Sequence, residues 1–187
     1  MTDTLSMETE DDLLARVSAR VGEPPKRAAR LETPGPVRAK TEPRQAWAYP
    51  GILGLTHVST NFGEVPAHLV RPRDRLRTRG GGYLQVLRID EYKLDDTFLE
   101  HQPDAKPIVI RKDAFGPACP TRDAYFSPGQ MIMKPASGVR HELLEAREAS
   151  ALQYDLDRTM GMLSYFVFHL AEPALIRCDG VWVQVGG

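Results

Sequence analysis

The alternation of apolar and polar positions changes character near residues 44–50. From Trp47 onward, β-branched and large apolar residues gather in short runs broken by Gly and Pro. Extended runs are predicted at Leu55–Thr60, Arg75–Arg79, Tyr83–Ile89, Ile108–Arg111, Met131–Lys134, Glu142–Ala146, Ser164–Leu170, Ala174–Cys178 and Val181–Val185. Turn residues separate many of them: Asn61-Phe62-Gly63, Gly80-Gly81-Gly82, Ser127-Pro128-Gly129, Ser137-Gly138 and Asp179-Gly180. The last is the clearest, because Ala174–Cys178, then Asp-Gly, then Val181–Val185 is the pattern of a tight hairpin whose turn needs positive φ. Short strands at this spacing predict an all-β fold. Residues 91–106 interrupt the series, and their polarity predicts an exposed loop.

Residues 1–46 differ. They hold eight acidic and eight basic side chains and no aromatics, and Pro24, Pro25, Pro34, Pro36 and Pro43 interrupt any long helix. One short helix is predicted at about residues 9–21, with Thr9 as cap and Asp12 three residues on. Leu13, Leu14, Val17 and Val21 form its narrow apolar stripe. A helix of about three turns is marginal alone in water, so the stripe needs a surface to cover it. Residues 26–45 read as a basic, Pro-broken linker. The expected organisation is a flexible arm over 1–46 and a β domain over 47–187, with the arm reaching a partner protein.

Composition narrows the function classes. The chain has 187 residues, 42% of them hydrophobic, enough for a real core. Lys plus Arg is 24 and Asp plus Glu is 25, a formal net charge of −1. Binding of nucleic acid through bulk charge is not expected, and any anion site has to be a local patch. Two cysteines, Cys119 and Cys178, supply neither a disulfide scaffold nor a Cys-rich zinc module. No apolar run approaches the roughly 20 residues of a membrane span. The polar, acidic start does not read as a secretion signal, so the expected setting is the cytoplasm or a soluble or membrane-associated assembly.

One ordered set of motifs goes further. Thr56, Gly63-Glu64-Val65-Pro66, Leu69, Pro72-Arg73-Asp74, Thr78-Arg79 and Gly81-Gly82 fall in sequence. Pro107–Arg111, Ala114-Phe115-Gly116, Pro120-Thr121-Arg122-Asp123 and Ser127-Pro128 follow, then Leu143–Arg147, then Tyr165-Phe166 through Asp179-Gly180. Over about residues 51–185 this set resembles a bacterial Hint (Hedgehog/intein) module. The resemblance implies a disc or horseshoe of short strands. It also implies an N-to-S or N-to-O acyl shift, in which a Cys, Ser or Thr at the first residue attacks the carbonyl before it. A histidine at the fourth position of a Ser/Thr-x-x-His motif then destabilises the scissile amide and protonates its nitrogen, and further histidines near the end assist.

The chain departs from that pattern where the chemistry sits. By spacing, Gly51 takes the nucleophile position, and glycine carries no nucleophile. Ser127-Pro128-Gly129-Gln130 replaces the Ser-Pro-x-His motif, and a carboxamide cannot shuttle a proton near pH 7. The two later histidine positions read Val167 and Pro173. The expectation is therefore no autoprocessing activity, no catalytic residue, no cofactor and no metal.

Other residues carry chemistry of their own. Cys119, in a turn, and Cys178, at a strand end, read as inert thiols. His141 and Glu145 echo a zinc-protease helix, but on a strand they lie about 13 Å apart, too far for one metal. His169 and Glu172 lie near the lost catalytic pair and read as a satisfied histidine and its neighbour. Arg75, Arg77 and Arg79 alternate along a strand and so share one face, either as protection of a sheet edge or as a partner-binding stripe. The expected function is a non-catalytic Hint-like interaction or structural module. It would bind a partner through Leu13, Leu14, Val17 and Val21 and through the arginine face. The alternatives are a self-cleaving domain whose nucleophile has moved to Cys119, Cys178 or Thr56, and an accessory subunit of a larger assembly.

Overall fold

The computed structural model describes residues 46–135, 141–154 and 162–186. The strands are β1 (Ile52–Leu53), β2 (His57–Thr60), β3 (Gly63–Pro66), β4 (Arg75–Arg77), β5 (Tyr83–Gln85), β6 (Arg88–Asp95), β7 (Ile108–Ile110), β8 (Ala124–Phe126), β9 (Met131–Pro135), β10 (His141–Glu145), β11 (Met162–His169), β12 (Ala174–Cys178) and β13 (Val181–Val185). Two short helices join them, α1 (Asp96–His101) and α2 (Ala146–Ala149). The fold is all-β, as the strand pattern predicts. The short apolar helix expected at about 9–21, and with it Leu13, Leu14, Val17 and Val21, lies outside the described residues.

The strands form two sheets. One has the order β6-β11-β1-β8-β7; the other runs β10-β9-β13-β12-β2-β4-β5, with β3 added on β2. The main core fills between them. Ile52, Phe126 and Phe168 from the first sheet meet Val58, Leu76, Ile132, Ile176 and Val183 from the second. A smaller cluster of Leu53, Leu94, Leu99, Ala105, Leu163 and Tyr165 lies on the other side of the first sheet, with Trp47 and Tyr92 against it. The two residues of β1 serve one cluster each, because successive strand side chains point to opposite faces.

The β12–β13 hairpin forms as expected, with Asp179 at φ 45° and Gly180 at φ 91° in its turn and register Cys178↔Val181. The expected loop at 91–106 is wrong. All eight residues of β6 pair with β11, from Arg88↔His169 to Asp95↔Met162. Asp95 then caps α1, its Oδ1 accepting from the Phe98 N–H at 2.7 Å. Most of β6 is polar because its side chains are largely solvated, while Leu94 and Leu99 enter the smaller cluster. The run read as Tyr83–Ile89 is two strands, β5 and the start of β6. Strands β1, β3 and β8 have only two to four residues each, too short for a periodic pattern to register.

Candidate functional site

The turn between β8 and β9 carries Ser127, Pro128, Gly129 and Gln130. Its first residue is a three-way clamp. The Ser127 N–H donates to the Gly51 carbonyl at 2.8 Å, its Oγ donates to the Tyr49 carbonyl at 2.6 Å, and the Trp47 indole N–H donates to that same Oγ at 2.9 Å. Residues 47–50 are thereby laid across the turn. They pass so close to Gly129 that a Cβ there would sit 2.4 Å from the Ala48 carbonyl oxygen, so only glycine fits. The Arg147 guanidinium from α2 donates to the Trp47 carbonyl on the way.

This strap delivers the Pro50–Gly51 peptide to Gln130. The Gly51 N–H donates to Gln130 Oε1 at 3.0 Å in a buried setting. The other end of the carboxamide is held as firmly, with Nε2 donating to the Gln184 carbonyl at 2.7 Å and the Met131 carbonyl at 3.1 Å. Gln130 is only 2% exposed and all its polar atoms are used. Residue 51 has no side chain and little space for one. A Cβ on Gly51 would lie 2.7 Å from the Tyr165 Cβ. Tyr165 is itself fixed, fully buried with its hydroxyl donating to the Ala105 carbonyl at 2.7 Å, and burial pushes its phenol up.

The two later positions lie close by. Val167 shares a cavity of about 270 Å³ with Pro50, Gln130, His169 and Gly186. Gly186 is backed by the 172–173 turn, and a Cβ on it would come within 3.2 Å of the Pro173 Cα. The fold therefore gathers Gly51, Gln130 and Val167, with Pro173 behind Gly186. None of the four side chains can form a covalent bond with a carbonyl or carry a proton near pH 7. His169 does face that cavity. Its Nε2 lies 2.8 Å from Asp90 Oδ2 and 3.2 Å from Arg88 Nη2, so it sits in a polar trio across β6 and β11.

The remaining nucleophile candidates lie elsewhere. The Thr56 hydroxyl is tied twice to Tyr125, donating to its carbonyl at 2.9 Å and accepting from its N–H at 3.0 Å. Cys178 is inside the main core, where burial pushes its thiol well up. Cys119 points to the Gly180 carbonyl at 3.6 Å, and desolvation raises its thiol as well. His141 and Glu145 sit at opposite ends of β10 and are paired with Pro135 and Met131 in its register. Among the described residues no group of three or more His, Cys, Asp or Glu could hold a metal ion.

The sequence reading passed over Asp179 except as a turn residue. The structure buries it, 1% exposed, with Oδ2 accepting from the His57 N–H at 2.9 Å. Its Oδ1 lies 3.0 Å from Arg122 Nε and 3.5 Å from His57 Nδ1, and Arg122 in turn holds Glu64 at 2.5 Å. Burial outweighs those cations and pushes the Asp179 carboxyl up to about 6. The turn motif hid this role, because Asp-Gly is explained by backbone φ alone.

Arg75 and Arg77 are exposed on β4 on either side of buried Leu76, and Arg79 is exposed just beyond the strand. Among the described residues their guanidinium groups have no hydrogen-bond acceptor or ion-pair partner. No helix among the described residues is long and apolar enough to cross a membrane.

Comparison with known proteins agrees with the motif order. No curated protein matches the chain. Among solved structures, the crystal structure of the gp41-1 intein is similar over 74% of this chain and 99% of that one, at 10% identity and a TM-score of 0.44. A splice-inactive variant of the AceL NrdHF class 3 split intein is similar over 73% of this chain and 97% of that one, at 12% identity and a TM-score of 0.42. A family model described as the Hint domain matches residues 52–184, from the first residue of β1 to the penultimate residue of β13. That span is well over half of the chain, and the chain belongs to the Hint domain family.

Proposed function

We propose that this Hint domain is non-catalytic and serves as an interaction or structural module for a partner protein. The observation that carries the reading is the Gly51 N–H bond to Gln130 Oε1, 3.0 Å and buried, at the peptide where the family's acyl shift would start. By motif order this contact joins the nucleophile and histidine positions of the family, but here one partner has no side chain and the other no transferable proton. A backbone amide gripped by a carboxamide is a stable hydrogen bond and nothing more. Losing nucleophile and acid together removes the covalent route, since each is worth orders of magnitude in rate. The relocated-nucleophile reading is weaker, because Thr56, Cys119 and Cys178 each have a structural role of their own.

Mass spectrometry of the purified chain, incubated with and without hydroxylamine or thiol, tests the reading. The expected result is an unchanged 20.9 kDa species. A fragment cut at Pro50–Gly51, or any thiol-sensitive ester, overturns it. Partner binding is expected to involve residues 1–46, with Leu13, Leu14, Val17 and Val21, and the face of Arg75, Arg77 and Arg79. A pull-down with and without residues 1–46 that recovers the same proteins in equal amount would remove the arm from the reading.

A further inference from the structure

Strand register assembles a surface on the outer face of the larger sheet that no single stretch of sequence contains. Leu143 on β10 faces Met133 on β9, Met133 faces Trp182 on β13, and Trp182 faces Arg177 on β12. On the far side, Arg77 on β4 faces Tyr83 on β5. The isolated antiparallel bridge Thr78↔Ile176 joins the two halves, and extending its register by one residue brings Arg77 beside Arg177. Their flanking residues Leu76, Ile176 and Cys178 are buried, so both arginines project from the outer face. The result is one row, Leu143–Met133–Trp182–Arg177–Arg77–Tyr83, across the sheet.

Two like charges brought side by side across such a bridge repel, which costs stability unless something anionic lies between them. Arg177, like Arg75, Arg77 and Arg79, has no acceptor or ion-pair partner among the described residues. Beside the row runs an open groove of about 640 Å³, lined by Arg79, Tyr83, Leu143, Glu172, Leu175 and Gln184 among others. Leu143 is 43% and Tyr83 40% exposed. Edge protection accounts for neither Arg77 nor Arg177, because β4 and β12 both lie inside the sheet, whose edges are β10 and β5.

We propose that this face docks an acidic, apolar-containing segment of a partner protein, its carboxylates held by Arg77 and Arg177 and its apolar side chains laid on Leu143, Leu175 and Tyr83. Paired guanidinium groups match carboxylates with bidentate geometry. The overall charge of −1 opposes a polyanion such as nucleic acid, which needs a continuous basic surface. This inference rests on the partner-binding part of the reading above and not on the emptied centre.

The test is fluorescence anisotropy of the full chain with a labelled peptide of alternating glutamate and leucine, a glutamine–leucine peptide as neutral comparison, and a deoxythymidine oligonucleotide. The acidic peptide is expected to bind. Arg77→Gln combined with Arg177→Gln, or the neutral peptide, should weaken binding about ten-fold or more, the order expected when a charge-assisted contact is lost. Lys93→Gln, on β6 of the other sheet, should leave it within about two-fold. Circular dichroism of each variant confirms that it folds. Equal binding by the double variant, equal binding of the neutral peptide, or tighter binding of the oligonucleotide overturns the proposal. Intact masses of the same samples keep the two readings apart. Cleavage at Pro50–Gly51 with arginine-dependent binding sinks only the non-catalytic reading, and an uncut chain without such binding sinks only the docking site.

Discussion

Replacing Gln130 by leucine tests whether its carboxamide works as a structural clamp. The substitution keeps the volume nearly unchanged and removes every polar contact of the carboxamide. The Gly51 N–H loses its only side-chain acceptor at 3.0 Å, and the Gln184 carbonyl loses its 2.7 Å donor. Each orphaned buried group costs about 1–3 kcal/mol, so the pair costs about 2–6 kcal/mol. For a domain of this size that lowers Tm by about 6–18 °C, at about 3 °C per kcal/mol. Near-UV circular dichroism melts and urea titrations measure the loss, and amide exchange at Gly51 locates it. Gln130→His is the informative companion. An imidazole keeps one acceptor and one donor, so its loss should fall clearly below that of leucine. If the leucine variant stays within about 0.5 kcal/mol of the parent, the clamp contributes nothing and the argument for a structural role of Gln130 fails.

Gly51→Ala should destabilise by about 1–3 kcal/mol, because its Cβ would meet the buried Tyr165 side chain at 2.7 Å. Gly80→Ala, with no atom closer than 3.9 Å to the added Cβ, should be near neutral in the same melts, and equal effects would refute the steric account. Asp179 gives a pH prediction. Its folded carboxyl titrates near 6, above its unfolded value, so the folded state holds the proton more tightly through the interval between them. The contribution of Asp179 to stability therefore falls as pH rises from about 4 to about 6 and stays lost above that. Asp179→Asn should flatten that part of the stability curve measured by urea titration. An unchanged slope would show that His57 and Arg122 keep the carboxyl ionised. Cys178, buried in the core with its thiol pushed up, should resist a thiol reagent in the native chain long after Cys119 has reacted. Simultaneous labelling without denaturant would contradict its burial.

Local pattern alone determined a good part of this protein. The β12–β13 hairpin is written in two five-residue runs on either side of Asp179-Gly180, and strand and turn lie within a few residues of each other. The same holds for the turn at Ser127-Pro128-Gly129 and for the glycine and glutamine standing at reactive positions, which residue identity and motif order reveal. Segment 91–106 was misread because a strand with a largely solvated set of side chains has the composition of a loop. Its assignment depends on β11, whose pairing residues lie about 70 positions later in the chain. Distance along the chain also hid the rest. Gln130 grips an amide 79 residues away, Asp179 grips one 122 residues away, and Arg77 meets Arg177 only through the closure of the sheet. Residue types and short spacings set which side chains stand at the motif positions. Which groups surround them, and which charges were brought near one another, followed from long-range strand register, a property of the folded sheet that no local window contains.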